Sequence, residues 1–321
     1  MTSPQVLCLG EVLFDCLADR AGEPLERVKS WTPYPGGAPA NVACGLVKLG
    51  TPAGFVGCIG SDRAGDELTE MLEQIGVDRT GIQRHPTAPT RQVYVLRSQT
   101  GDRIFAGFGD IPTDKFADTR LQAEELSETL FAGAKYLVLG TLEMAYPETR
   151  RAIERALEFA NRHYTKIFVD VNWREVFWDD RAEGERAIWK MMGQVDFVKL
   201  SEEEAEWLFK TTNASEISLR LNDVEGVIVT LGERGCSYCL NDFSGQIDAF
   251  PVTVEDTTGA GDGFVAGLLH QLCQNGSKGL TDASTVDRMV TYACAVGALT
   301  ATKPGAIAAQ PTAEEVEAFL R

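Results

Sequence analysis

The run Asp256-Thr257-Thr258-Gly259-Ala260-Gly261-Asp262-Gly263-Phe264 closes a polar segment and opens a helix. Beyond it, Phe264, Val265, Leu268, Leu269 and Leu272 share one apolar face at helical spacing. A helix start leaves backbone N–H groups unpaired and carries partial positive charge. Residues as small as Gly259, Ala260 and Gly261 let an anion descend onto those groups. Asp262 then stands in the first turn, beside whatever fills the hole. It either complements the helix dipole or does chemistry. A carboxylate repels a static phosphate, but it fits a reaction in which it takes a proton from a hydroxyl about to attack phosphorus. No Gly-Lys-Ser/Thr follows, so this is not the other common phosphate loop.

The chain around this run has 321 residues, 44% hydrophobic, enough for a large core. Its net charge of −17 argues against nucleic acid and anionic membranes as partners, and leaves any anionic substrate to local features such as helix N-termini. No apolar run reaches the length of a membrane span. Glu11 and Asp15 interrupt the first apolar segment, which excludes a normal secretory signal, so a cytoplasmic protein is expected. Eight cysteines in a chain this long do not read as a disulfide scaffold. Cys236-x-x-Cys239 has no second pair nearby, and the three histidines are far apart, so neither zinc nor redox chemistry is indicated.

Strand and helix patterns alternate. Strands are expected at 6–9, 53–59, 136–139, 167–171, 196–200 and 227–231, with further strands at 235–241 and 246–252. Helices are expected from Pro39 to about Leu49, then at 64–75, 147–163, 182–192, 202–210, 260–275, 285–300 and 312–320. Such alternation implies an α/β fold, a mostly parallel sheet with helices on both faces. The stretches 11–17, 27–32, 93–97 and 103–108 break the alternation. They read as a small separate sheet, with a turn at Gln99-Thr100-Gly101-Asp102 joining its last two strands. One domain spanning 1–321 is expected, with a lid from about 11–35 and 90–110.

Polar residues gather where strands end, the place where such sheets bind ligands. No Gly-x-Gly-x-x-Gly follows the first strand, which counts against a dinucleotide site. Asp15 sits at an exposed lid edge or aims into a polar pocket. Gly36-Gly37 allows close backbone approach, and Asn41 lies in the next helix's first turn. Arg174, in Asp170-Val171-Asn172-Trp173-Arg174, is either a surface arginine or a cation aimed at a ligand. Glu202, Glu203 and Glu204 complement a helix dipole at the least. The Gly-x-x-Gly turn within Thr230-Leu231-Gly232-Glu233-Arg234-Gly235 would let a ligand lie close.

Taken in order, these segments resemble the ribokinase-like (PfkB) sugar kinases over nearly the whole chain. The run at 256–264 is similar to that family's C-terminal signature. Gly36-Gly37-Ala38-Pro39-Ala40-Asn41-Val42-Ala43 is similar to its N-terminal one, especially in the fructokinase branch. The resemblance implies a three-layer ribokinase-like fold with a β lid, and ATP-dependent phosphorylation of a sugar. It implies Asp262 as base, with Gly259, Ala260 and Gly261 as anion hole. It places Asp15, Gly36, Gly37, Asn41, Arg103 and Arg174 around the sugar, and Trp178 matches a tryptophan that follows the Asp-x-Asn-x-Arg segment. Lys199, Ser201, Glu204, Thr230, Gly232, Gly235, Gly261 and Cys294 fall at nucleotide positions, with Glu204 organising water around Mg2+. Asp256, Thr258, Thr300, Lys303 and Gly305 would hold a monovalent cation, K+.

Ser201 replaces the Asn of ribokinases, and Ser-Glu-Glu-Glu is the fructokinase form. Fructose is therefore the expected sugar, with its 6-hydroxyl as acceptor. One departure is Gly109, near the place where compared fructokinases carry an Arg. The alternatives are a 2-keto-3-deoxygluconate kinase, a ribokinase, and a non-catalytic sugar- or nucleotide-binding regulator, which the intact Asp262 argues against. The lid, apolar at Val12, Leu13, Phe14 and Leu17, is expected to join two chains.

Overall fold

The computed structural model describes residues 3–99 and 103–321. Three residues of the turn expected at 99–102 lie outside the described residues. In chain order the first strands are β1 (Val6–Leu9), β2 (Leu13–Ala18), β3 (Trp31–Gly36), β4 (Ala53–Gly60), β5 (Asp78–His85), β6 (Gln92–Arg97) and β7 (Arg103–Gly107). Then come β8 (Tyr136–Leu139), β9 (Lys166–Asp170), β10 (Phe197–Ser201), β11 (Gly226–Thr230), β12 (Cys236–Leu240) and β13 (Phe243–Ile247). The helices are α1 (Ala38–Lys48), α2 (Arg63–Ile75), α3 (Glu128–Ala132), α4 (Pro147–Arg162) and α5 (Arg181–Met192). They continue with α6 (Glu202–Phe209), α7 (Ala214–Leu221), α8 (Ala260–Gly279), α9 (Ala283–Thr300) and α10 (Ala313–Phe319).

Nine strands form the main sheet in the order β13-β12-β11-β10-β9-β8-β1-β4-β5, parallel except for β12 and β13. Side chains alternate across it as the pleat requires. Val6 and Cys8 join a core with residues of α1, α2, α8, α9 and α10, while Leu7 and Leu9 join one with residues of α3 to α7. Each fully buried Val or Leu in these layers contributes about 1.5–3 kcal/mol. From β1 the chain order runs one way through β4 and the other through β8, so the strand order reverses there. The crevice at the carboxyl ends beside β1 is where this architecture binds ligands.

β3, β2, β6 and β7 form the lid sheet. The strand expected at 27–32 is instead β3, which runs through Pro33 and Pro35. Prolines suit it because β3 is an edge: two residues apart, both turn their missing N–H to the same side, away from β2. β5 was missed because its charged sequence, DRTGIQRH, is that of an exposed edge strand. The strand expected at 246–252 begins earlier, since Leu240 pairs Phe243 across a two-residue turn at Asn241-Asp242. The apolar lid residues read as a dimer surface are occupied within the chain: Val12, Leu13, Phe14 and Leu17 are all buried, whereas Ile104 and Phe105 on edge strand β7 are half-exposed. Among the described residues no helix is long and apolar enough to cross a membrane.

Candidate active site

α8 opens on Gly259, whose left-handed φ of 77° lets the chain turn sharply into the helix. The N–H groups of Gly261 and Asp262 have no hydrogen-bond partner among the described residues, whereas Ala260 N–H, also expected in the hole, donates to the Thr257 carbonyl at 3.2 Å, so the open donors begin at Gly261. Asp262 lies beside it and accepts a 2.7 Å hydrogen bond at Oδ2 from Asn41 Nδ2. That bond joins the two signature segments, 221 residues apart. Burial raises the Asp262 pKa, partly offset by Asn41, Lys199 and Arg174, while Glu11 adds to the rise. A carboxylate held above its usual range is a stronger base once ionised. Asn41 is 4% exposed, and its Oδ1 has no partner. It is therefore an acceptor waiting for a donor.

Two cavities meet at this helix start. The first, about 810 Å3, is lined among others by Asp15, Asn41, Arg174, Lys199, Glu204 and Asp262. The lid covers it. β2 carries Asp15, and Gly36 makes room for that carboxylate, since a Cβ there would lie 2.9 Å from Asp15 Oδ2. Gly37 combines a φ of 104° with backbone packed so close that a Cβ would lie 2.5 Å from the Glu11 carbonyl oxygen. Burial raises the Asp15 pKa, against which Arg103 and Arg174 pull down and Asp256 pushes up. Arg174 is exposed and among the described residues donates only to the neighbouring Trp173 carbonyl, which leaves most of its fork available. Trp178 is buried and stacks on Trp173.

The second cavity, about 710 Å3, has mostly apolar and small-residue walls that include Gly232, Phe250, Pro251, Cys294 and Gly297. Thr257 and Gly261 line both cavities, so the hole lies at their junction. Gly232 faces open space, as close ligand approach requires. Gly235 is a glycine for a local reason, because a Cβ would collide with the Ile247 carbonyl oxygen. Thr230 donates to the Leu200 carbonyl. Cys294 Sγ lies 3.5 Å from Cys236 Sγ, and all eight cysteines are free thiols.

Glu204 and Ser201 form a capping box at α6: Ser201 Oγ accepts from Glu204 N–H, and Glu204 Oε2 from Ser201 N–H. Glu204 Oε1 accepts from Trp173 N–H at 2.6 Å. The carboxylate is fixed at the cavity wall by two backbone donors, with a lone pair left on each oxygen.

Three features escaped the sequence reading. The first is a buried ion pair between Lys199 Nζ and Asp170, at 3.1 Å to both oxygens. The two residues are in register on neighbouring parallel strands. A Cβ on Gly261 would lie 3.2 Å from Lys199 Nζ, so this ammonium borders the anion hole. Burial disfavours its charge, but Asp170, Glu204 and Asp262 outweigh that and hold its pKa above the ordinary value. A lysine inside the apolar strand Phe-Val-Lys-Leu was the available signal. The second is the pair Glu11 and Glu143, both at least 95% buried; burial pushes both pKa values up, and the contact between them raises that of Glu143 further while drawing that of Glu11 down. Glu11 accepts from Ala38 N–H and so steadies the start of the helix that carries Asn41.

The third concerns Arg103, expected at the sugar. It is paired instead with Asp256 and does not line the first cavity. Asp256 also accepts from Gly305 N–H at 3.0 Å and from Thr258 N–H and Oγ1. Burial opposes its charge, yet these donors and Arg103 hold its pKa below the carboxylate norm. Thr300 donates its hydroxyl to the Val296 carbonyl, and Lys303 pairs with Glu315. Gly109 has φ 67°, a left-handed position that disfavours the arginine compared fructokinases carry nearby.

A family model described as pfkB family carbohydrate kinase matches residues 3–313. Fructokinase-1 of Oryza sativa subsp. japonica is 35% identical over 317 residues, 98% of this chain and 97% of its own. Fructokinase-1 of Zea mays is 35% identical over 314 residues, 97% of this chain and 96% of its own. Among solved structures, fructokinase with bound ATP from Xylella fastidiosa superposes with a TM-score of 0.87 at 30% identity, covering 98% of this chain and 97% of that one. A fructokinase double mutant from Vibrio cholerae O395, with fructose, ADP and potassium ion bound, gives 0.85 at 27% identity over the full length of both.

Proposed function

The chain belongs to the PfkB family of carbohydrate kinases, and on that premise we propose how its cavities carry out fructokinase chemistry: transfer of the ATP γ-phosphoryl to D-fructose, at the 6-hydroxyl. The observation that carries this reading is the Asp262–Asn41 contact at the mouth of an open helix N-terminus, where two cavities of suitable size meet.

In this reading fructose occupies the first cavity. Asp15 accepts from ring hydroxyls, and so does the unpartnered Asn41 Oδ1. ATP lies along the second, its adenine between apolar walls and its phosphates at Gly261. Asp262 removes the proton of the attacking hydroxyl, and the new O–P bond forms as the bond to ADP breaks. The open N–H groups of Gly261 and Asp262 take up the charge that develops, while Ala260 N–H already donates to the Thr257 carbonyl; Lys199 lies behind them and Arg174 across the cavity. Mg2+ bound with ATP would supply charge neutralisation between the phosphates, and Glu204 is the residue placed to hold its water.

Fructose is favoured over the ketoacid by charge. A carboxylate would enter beside Asp15, and of the two nearby arginines Arg103 is already paired with Asp256. Only Arg174 would remain to receive it. The monovalent-cation set has suitable oxygen donors, but Asp256 already accepts four hydrogen bonds there, one of them from a cation. That arrangement does not fit a free ion. We place the protein in the cytoplasm, on the strength of eight free thiols. We take the chain as one kinase unit with its lid, and the exposed edge of β7 as the surface that joins two copies. The test is to incubate the protein with Mg-ATP and D-fructose and follow the product by phosphorus NMR. A fructose 6-phosphate signal is expected. ATP turnover without sugar phosphate, or phosphate on another hydroxyl, would overturn the proposal.

A further inference from the structure

In the loop that leads into the catalytic helix, Asp248 and Glu255 are exposed, whereas the Asp256 side chain is only 10% exposed. A charge in that position needs a compensating charge. Arg103 provides it from the first residue of lid strand β7, 153 residues away in sequence. Lys303, two residues before Gly305, is paired with Glu315 at 3.0 Å. The other donors to Asp256 are neutral: the N–H of Gly305 and the N–H and hydroxyl of Thr258.

We propose that Arg103 is a tethered cation, which fills in this chain the electrostatic place a free monovalent ion would otherwise take. The inference rests on the kinase reading of the Asp256–Asp262 loop. One unit of negative charge is met by one guanidinium, and an ion entering beside it would bring a second positive charge to a single carboxylate. A group on the same chain also loses less translational freedom on docking than a free ion does. Because Arg103 belongs to the lid, the charge reaches Asp256 only when the lid lies over the cavity. Closure over the sugar and completion of the loop that shapes the anion hole are then one event.

The experiment compares the wild type with Arg103→Met, which keeps length and apolar stem but removes the charge. Turnover with fructose and thermal unfolding are both measured in tetramethylammonium buffer and on titration with KCl. The wild type should change its kcat by less than about twofold across the titration, and its Tm should not respond to K+ beyond an equal concentration of tetramethylammonium. Arg103→Met should lose at least about tenfold in kcat without K+, as for removal of a transition-state electrostatic group. It should recover most of that loss with K+ and gain about 2 °C or more in Tm at saturation. A wild type strongly activated or stabilised by K+ would overturn the proposal. So would an Arg103→Met enzyme that is fully active without K+, or one that K+ neither rescues nor stabilises. The Tm measurement needs no sugar, so it decides the matter even if fructose turns out not to be the substrate.

Discussion

Replacing Asp262 by Asn keeps the shape of the side chain and removes its ability to accept a proton. The Asn41 Nδ2 contact at 2.7 Å can be kept, because the new amide offers its own oxygen to that donor. The sugar cavity and the open N–H groups of α8 are untouched, so binding of sugar and ATP should hold within a few-fold. The loss falls on kcat: a general base contributes about 10²–10⁴ in rate, or roughly 3–5 kcal/mol of barrier at 1.36 kcal/mol per decade. The pH dependence adds a second signature. Burial raises the Asp262 pKa above its unfolded value, so its contribution to stability is full below the ordinary carboxylate pKa and is lost as pH rises through the raised one. At neutral pH the ionised group is a cost to folding, and Asp262→Asn should melt no lower than the wild type. Wild-type kcat/KM should fall as pH drops through the raised pKa of the free enzyme, and the variant's residual kcat/KM should lack that limb. Steady-state kinetics with a coupled ADP assay, from pH 5 to 9, read all of this. Turnover within a few-fold of wild type would remove Asp262 from the mechanism.

Three further outcomes follow from the geometry. Lys199→Met strands the buried Asp170 carboxylate and should cost about 3–5 kcal/mol of stability; adding Asp170→Asn should restore most of the Tm but not the activity, as denaturant melts and kinetics of both variants would show. Asp15→Ala should raise the KM for fructose and leave that for ATP within about twofold, because the side chain lines the sugar cavity alone; equal changes in both constants would contradict the division of the site. If β7 joins two chains, Ile104→Glu with Phe105→Glu should convert a dimer to a monomer in light scattering, and a wild type monomeric at micromolar concentration would refute the pairing.

What could be read from the sequence followed physical scale. The parallel sheet, its helices and the α8 hole were legible because apolar periodicity and small residues are local signals. Edge strands were not: β5 looks like a polar loop, and β3 was shifted because prolines argue against a strand until one knows that its outer edge is unpaired. Asp262 and Asn41 could each be named from a motif, but their hydrogen bond spans 221 residues and needed the fold. The same holds for Lys199 with Asp170, which meet only through strand register. For Arg103 likewise the charge could be read from the sequence, but its pairing with Asp256 could not. Gly109 stood out in the sequence as a missing arginine, and its left-handed backbone, at φ 67°, could be seen only in the fold.

The central claim is that this cavity selects a neutral ketohexose. The most direct measurement is kcat/KM for D-fructose, 2-keto-3-deoxygluconate and D-ribose, compared in one coupled assay at saturating Mg-ATP. Fructose should lead both by at least about tenfold, or roughly 1.4 kcal/mol. A ketoacid ranked above fructose would mean that the cavity holds a carboxylate beside Asp15 after all, and the assignment of the sugar would fall.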